Sequence, residues 1–224
     1  MQKSMLRLLS IADFISILNA LFGFSAIIMA VLGEIWFSFS FILLALLADG
    51  LDGIVARKTK QGQLGEYLEG MGDMTSMGIA PAIFVFMIYY ENISYCIYYQ
   101  IYLIIALIMF LSLSIIRLAS FHIMKKDNYF VGLPASASTV IILILAYLEI
   151  EFLYLILIII LISLALVSNV RFPKPGLKIN GVAAILIILT IVLSKNYYGI
   201  APILLLTAIL VYAIAGSIYL LKRK

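Results

Sequence analysis

The sequence predicts an all-α, polytopic integral membrane protein, and three observations carry that prediction. Of its 224 residues, 65% are hydrophobic and 12% charged, with a mean hydropathy of +1.20, which is more apolar surface than a soluble core can hide. Eight apolar runs approach or reach the length of about 20 helical residues that a bilayer crossing takes. The basic residues fall in alternate loops, as in a chain threaded back and forth through a membrane.

The runs lie at about 14–32, 37–56, 70–90, 98–121, 132–148, 152–170, 180–194 and 200–221. Before the first, Met5, Leu6, Leu8, Leu9 and Ile11 make residues 4–12 a short interfacial helix feeding the span. The first run is too long for a cleavable leader and lacks a small-x-small cleavage site, so it is expected to stay. Short polar turns at 33–34, 91–92, 149–151 and 194–198 join alternate pairs of spans. Trp36, Tyr89, Tyr90, Tyr98, Tyr99, Tyr197 and Tyr198 gather at those ends as an interfacial aromatic belt. Pro81 and Pro134 are expected to kink or open helices. The single Cys96 excludes an intrachain disulfide.

Fourteen of the fifteen Lys and Arg lie in one set of loops and only Lys195 in the other. Positive loops stay inside, so both termini are expected on the cytoplasmic side of the cell membrane. The net charge of +4 is then a topology signal and excludes a nucleic-acid reading. The substantial breaks, 57–69, 122–131 and 171–179, are all cytoplasmic, so a site is expected there.

Five of the eleven acidic residues crowd into "LADGLDGIVARKTKQGQLGEYLEGMGDM", residues 47–74. A charge at the centre of a spanning helix costs about 2.5–3.5 kcal/mol on insertion scales, so such residues suggest function. Asp49 and Asp52, three apart, share one face at the cytoplasmic end of the second span; Glu69 and Asp73, four apart, share a face of the third, with Glu66 a turn earlier. Like charges so placed repel unless something positive lies between them. Hard cations such as Mg²⁺ or Mn²⁺ take carboxylate and phosphate oxygens, and a metal site accounts for the cluster most economically. On spacing alone, solvated charges paired with Arg57, Lys58 and Lys60 stay open as an alternative. Gly50, Gly53 and Ala56 beside the acids, with Gly65, Gly70, Gly72 and Gly78 on the facing helix, allow a close backbone or ligand approach.

Two rivals come from other classes. "GMGD" at 70–73 matches the short G-x-G-D of intramembrane aspartyl proteases, with Asp49 as partner. That reading leaves Asp52, Glu69, Gly53, Ala56 and Arg57 without a role. A cation transporter would use the acids as a midplane ion site, but they lie nearer the cytoplasmic end.

The segment resembles the signature of the CDP-alcohol phosphotransferase family, D-x2-D-G-x2-A-R-x7/8-G-x3-D-x3-D, at Asp49, Asp52, Gly53, Ala56, Arg57, Gly65, Glu69 and Asp73. Seven of these eight positions match. The departure is Glu69, where the family has Asp, and its extra methylene moves the carboxyl by roughly one carbon–carbon bond. "SILNALFG" (16–23) fits the family's T/S-x2-N-x3-G, while "DMTSMGIAP" (73–81), "RLASF" (117–121), "GLP" (132–134) and "VSNVRFPK" (167–174) are similar to its serine-transferring branch.

The resemblance implies a six-helix core over 1–179 with two extra C-terminal transmembrane helices over 180–224. It implies transfer of a phosphatidyl or archaetidyl group from CDP-diacylglycerol or CDP-archaeol to L-serine, with CMP released. Inositol phosphate or glycerol phosphate as acceptor is the alternative within the same reaction type. Two divalent cations, Mg²⁺ or Mn²⁺, would be held by Asp49, Asp52, Glu69 and Asp73, with Asp73 as the base toward the serine hydroxyl. Asn19, Gly53, Ala56, Arg57 and Gly65 would line the nucleotide and phosphate site, Arg117 and Arg171 the acceptor carboxylate. The family also implies a homodimer.

Overall fold

The computed structural model describes residues 8–56, 64–121, 123–124, 129–194 and 196–222. Predicted readings on Arg57, Lys58 and Lys60 lie outside the described residues, as do residues 4–7 of the predicted interfacial helix. Five helical segments are long and apolar enough to cross a membrane, Ile11–Val31, Ile35–Asp52, Gly65–Tyr90, Ile97–Ser120 and Gly199–Leu220, and three shorter apolar helices accompany them. The all-α membrane architecture is therefore as expected.

Helix α1 (Ile11–Val31) starts one residue after Ser10, whose hydroxyl accepts from the Asp13 N–H while the Asp13 carboxylate accepts from the Ser10 N–H. This capping box sets the start of the span at Ser10, so Ile11 and Ala12, expected in the interfacial helix, belong to α1. Along α1 the small and polar residues Asp13, Ser16, Asn19, Gly23, Ala26 and Ala30 face inward, while Phe14, Leu18, Leu21 and Phe24 are exposed. That inversion of a soluble helix is what lipid selects, since tight helix contact inside a bilayer comes from small residues and polar bonds.

Helix α2 (Ile35–Ala56) packs along α1. The third crossing is one run of three pieces: α3 (Gly65–Asp73), a π-helical segment (Met74–Ile79) and α4 (Ala80–Tyr90). Pro81 has no N–H, so the Met77 carbonyl loses its usual donor four residues on. The Thr139 hydroxyl of α6 takes that place at 2.9 Å. The expected effect of Pro81 is thus a widened turn immediately after Asp73, held by a neighbouring helix.

Helix α5 (Ile97–Ser120) leads to strand β1 (Tyr129–Val131), α6 (Ala135–Tyr147), α7 (Phe152–Leu166) and strand β2 (Arg171–Pro173). The strands pair antiparallel, with Phe130 opposite Phe172. Residues 132–134 and 167–170, beside these strands, are not helical, which corrects the predicted runs 132–148 and 152–170. Gly132 has φ of 78°, and a Cβ there would lie 2.2 Å from the Leu166 carbonyl oxygen. Its N–H and that of Leu133 donate to Val170 and Ala165 carbonyls, so backbone bonds between the two connections end the fifth and sixth spans short of the predicted runs. Helices α8 (Leu177–Leu193) and α9 (Asn196–Lys222) complete the chain.

The core joins Phe39 of α2, Phe84 of α4, Leu103 and Phe110 of α5, Leu143 of α6 and Leu155 and Ile159 of α7, all fully buried. Helix α9 is attached through β2: the Tyr212 hydroxyl donates to the Pro173 carbonyl, and a Cβ on Gly216 would lie 2.5 Å from the Pro173 ring. At the opposite end of the bundle, Tyr147 bonds Ser194 and the Tyr89 hydroxyl donates to the Ile150 carbonyl.

Candidate active site

Helix periodicity brings Asp49 to the inner face of α2 about two turns before its end, and Glu69 and Asp73 to one face of α3. The antiparallel approach of these helices then sets one carboxylate oxygen from each of Asp49, Glu69 and Asp73 within 4.8 Å of the others. All three are half-buried, and the carboxyls of Asp49 and Asp73 are within hydrogen-bonding reach of each other. Three acidic oxygens so close repel unless a cation or proton lies among them. An all-oxygen, carboxylate-rich donor set with no sulfur and no imidazole fits a hard divalent cation.

Asp52 is placed differently. It lies three residues beyond Asp49 and is buried, and its carboxylate accepts a hydrogen bond from Ser16 of α1. It does not belong to the cluster of three. Asn19, one turn further along α1, donates through Nδ2 to Asp73 Oδ1 at 2.9 Å. Its own Oδ1 is buried and has no hydrogen-bond partner.

Two glycines make this approach of α1 possible. A Cβ on Gly72 would meet the Ser16 carbonyl at 2.9 Å and Asn19 Nδ2 at 3.3 Å, and one on Gly23 would meet the Ser76 Cα at 2.8 Å. Backbone-to-backbone contact of this kind requires glycine. The expected thinning of the helices thus holds at Gly72, whereas Gly50 and Gly70 have nothing within 4 Å and do not serve close packing in this chain. For Gly78 the neighbour is the flexible end of Met74.

Gly65 is buried at the start of α3. Gly53 and Ala56 stand in the last turns of α2 beyond Asp49, and Arg57 lies outside the described residues. Arg117, in the last turn of α5, is only 6% exposed; its Nε donates to the Leu133 carbonyl at 3.3 Å and its guanidinium lies 5.6 Å from the Phe121 ring centre. Arg171, on β2, stacks 5.0 Å from the Tyr129 ring. The β1–β2 pair therefore holds the two arginines on one end of the bundle, Arg117 through Leu133 and Arg171 within the strands.

Sequence reasoning passed over Asp13, and gave Ser16 a place in the T/S-x2-N-x3-G match but no role. Both were visible as polar residues at three-residue spacing with Asn19 on an otherwise apolar helix, which is the pattern of an inward-facing polar stripe.

A family model described as CDP-alcohol phosphatidyltransferase matches residues 9–220. The chain is 30% identical over 216 residues, 96% of each chain, to the CDP-diacylglycerol–serine O-phosphatidyltransferase of Methanocaldococcus jannaschii. It is 34% identical to the archaetidylserine synthase of Methanothermobacter thermautotrophicus over 87 residues, 38% of this chain and 37% of that one. To the CDP-diacylglycerol–serine O-phosphatidyltransferase of Saccharomyces cerevisiae it is 32% identical over 149 residues, 58% of this chain and 51% of that one.

Proposed function

The chain belongs to the CDP-alcohol phosphatidyltransferase family, and from that premise we propose that it transfers the phosphatidyl or archaetidyl group of a CDP-activated lipid to L-serine, releasing CMP, in phospholipid synthesis. The observation that carries the reading is the similarity over 96% of the chain to a serine O-phosphatidyltransferase, joined to a carboxylate cluster built from the signature residues Asp49, Glu69 and Asp73. The protease rival predicts a dyad of Asp49 and Asp73 and no use for Glu69 or the Asn19 bond. Membership of a transferase family removes it, and removes the transporter reading.

In the reaction the serine hydroxyl oxygen attacks the phosphorus that carries the lipid. The bond from that phosphorus to the bridging oxygen breaks, and CMP leaves with its electrons. Asp73 takes the hydroxyl proton, and its bond from Asn19 fixes which oxygen faces the acceptor. Asp49, Asp52, Glu69 and Asp73 would hold two divalent cations, Mg²⁺ or Mn²⁺, which when bound would supply charge stabilisation to the phosphoryl group and the leaving CMP. An Asp is a weak base for a hydroxyl, so orientation by these side chains provides much of the rate.

Asn19, Gly53, Ala56, Arg57 and Gly65 line the nucleotide and phosphate side. Arg117 is the better placed of the two acceptor arginines, because burial and a single backbone acceptor leave the rest of its planar fork for a carboxylate. Arg171 stands beside it on the strand pair. The core is 1–179, with 180–224 an accessory pair. The enzyme is a homodimer of the cell membrane with both termini and the site on the cytoplasmic face, as fourteen basic residues against one favour.

The test is transfer of labelled L-serine to CDP-diacylglycerol and to CDP-archaeol by purified protein, with myo-inositol phosphate and glycerol phosphate as competing acceptors. A CMP-releasing, serine-labelled lipid product that disappears in Asp73→Asn establishes the reaction. Product only with another acceptor reassigns the substrate.

A further inference from the structure

Asp13 lies outside every signature position, and the capping box gives it a local role. That role uses only one of its oxygens. Oδ2 accepts from the Ser10 N–H at 2.7 Å, whereas Oδ1 is buried without a hydrogen-bond donor, on a residue that is 0% exposed. Leaving a carboxylate oxygen so is expensive, because a buried charge needs a counter-charge or a donor.

Asp13 shares its face of α1 with Ser16, three residues on, and Ser16 donates to Asp52. Ser16 is thus one turn from Asp13 on α1 and bonded to Asp52 of α2. Two buried carboxylates thus flank Ser16 on the α1–α2 seam, one beside it on α1 and one bonded to it from α2. One turn further along the same stripe a second acceptor, Asn19 Oδ1, is likewise buried without a partner while its amide nitrogen holds Asp73. The α1 face therefore presents two unmatched oxygens beside the two signature aspartates, and one species that satisfies both sides is a hard cation.

We propose that Asp13 is an additional carboxylate of the metal centre, acting on the cation at Asp52 from the α1 side. The inference rests on the reading of the acidic cluster as a metal site. It makes α1 a third wall of that centre, with Asp13 supplying charge, Ser16 orienting Asp52 and Asn19 orienting Asp73.

The test is Mn²⁺ binding to purified full-length protein, with free Mn²⁺ followed by its electron paramagnetic resonance signal. Wild type is compared with Asp13→Asn, Ser10→Ala and Asp49→Asn. An Asn at 13 can still accept from the Ser10 N–H, so this variant removes the charge and spares the cap. Mn²⁺ affinity is expected to fall about tenfold to a hundredfold in Asp13→Asn, the range seen when residues supporting a metal site are lost. Ser10→Ala, which weakens the cap and keeps the charge, is expected to lower the unfolding temperature without moving Mn²⁺ affinity. Unfolding in EDTA and in Mn²⁺ gives a second readout: Asp13→Asn should lose part of the Mn²⁺-induced rise in unfolding temperature. Unchanged Mn²⁺ affinity and an unchanged rise in Asp13→Asn would overturn the inference while leaving the metal site intact. A wild type whose Mn²⁺ binding is absent, or is untouched by Asp49→Asn, would overturn the metal reading itself.

Discussion

The Asn19 amide of the first membrane helix donates to Asp73 of the third at 2.9 Å, across 54 residues of sequence. It ties the candidate base to a rigid neighbour, and Gly72, one residue before Asp73, lets the two backbones close to the distance that the bond needs. A hydrogen bond to an ionised group is worth about 1.5–3 kcal/mol, and each 1.36 kcal/mol is about tenfold in rate.

Asn19→Ala should therefore lower kcat by about tenfold to a hundredfold. If Asn19 only positions Asp73, KM for the CDP-lipid stays near wild type. A kcat that is unchanged while KM rises would show that Asn19 serves the nucleotide without positioning Asp73.

Chelation should abolish transfer, and added Mg²⁺ or Mn²⁺ should restore it, because Asp49, Glu69 and Asp73 bring three oxygens within 4.8 Å of one another. Asp49→Asn and Asp73→Asn should each remove at least about a hundredfold of activity, as loss of transition-state charge stabilisation does. Glu69→Asp shortens the third arm to the family's usual length. It should retain transfer and change the ratio of rates with Mg²⁺ and Mn²⁺, measured side by side.

Gly23→Ala forces a Cβ to within 2.8 Å of the Ser76 backbone. Overpacking of this kind costs about 1–3 kcal/mol, and a lower unfolding temperature should report it. Gly50→Ala, with nothing within 4 Å, should be neutral or stabilising by up to about 1 kcal/mol from helix propensity.

Thr139→Val removes the donor that the Met77 carbonyl uses in place of the missing Pro81 N–H. The buried carbonyl is then unsatisfied, at about 1–3 kcal/mol. Because the widened turn directly follows Asp73, both the unfolding temperature and kcat should drop; Thr139→Ser should recover both.

Arg117→Lys keeps a positive charge but loses the planar fork. KM for serine should rise at least about tenfold, with KM for the CDP-lipid little changed. Arg171, stacked on Tyr129, should show a smaller effect on the same assay.

Helical spacing was enough to read that Asp49 and Asp52 share a turn and that Glu69 and Asp73 share another, since a 3.6-residue repeat fixes which side chains are neighbours on one helix. It was not enough to read that Asp49 joins Glu69 and Asp73 while Asp52 turns to Ser16, because a helix rotated slightly against its partner separates two residues on the same face. Nor did apolar length mark where the fifth and sixth spans end. The N–H groups of Gly132 and Leu133 donate there to the Val170 and Ala165 carbonyls, and apolar residues in such a connection look the same in sequence as residues in a membrane helix.

What the sequence by itself determined is the class of molecule, a polytopic helical membrane protein of the CDP-alcohol phosphatidyltransferase family, and the stretch in which its acidic residues gather. Bilayer thickness, the expense of buried charge and the bias of basic loops act on each segment separately, and each leaves a local trace. What only the tertiary structure decided is which side chains complete the site: Ser16 with Asp52, Asn19 with Asp73 and Thr139 with Met77, partners 36, 54 and 62 residues apart. These pairings depend on how closely two helices approach and at what rotation, and that is set by side-chain volume at the contact, at Gly23 and Gly72 above all.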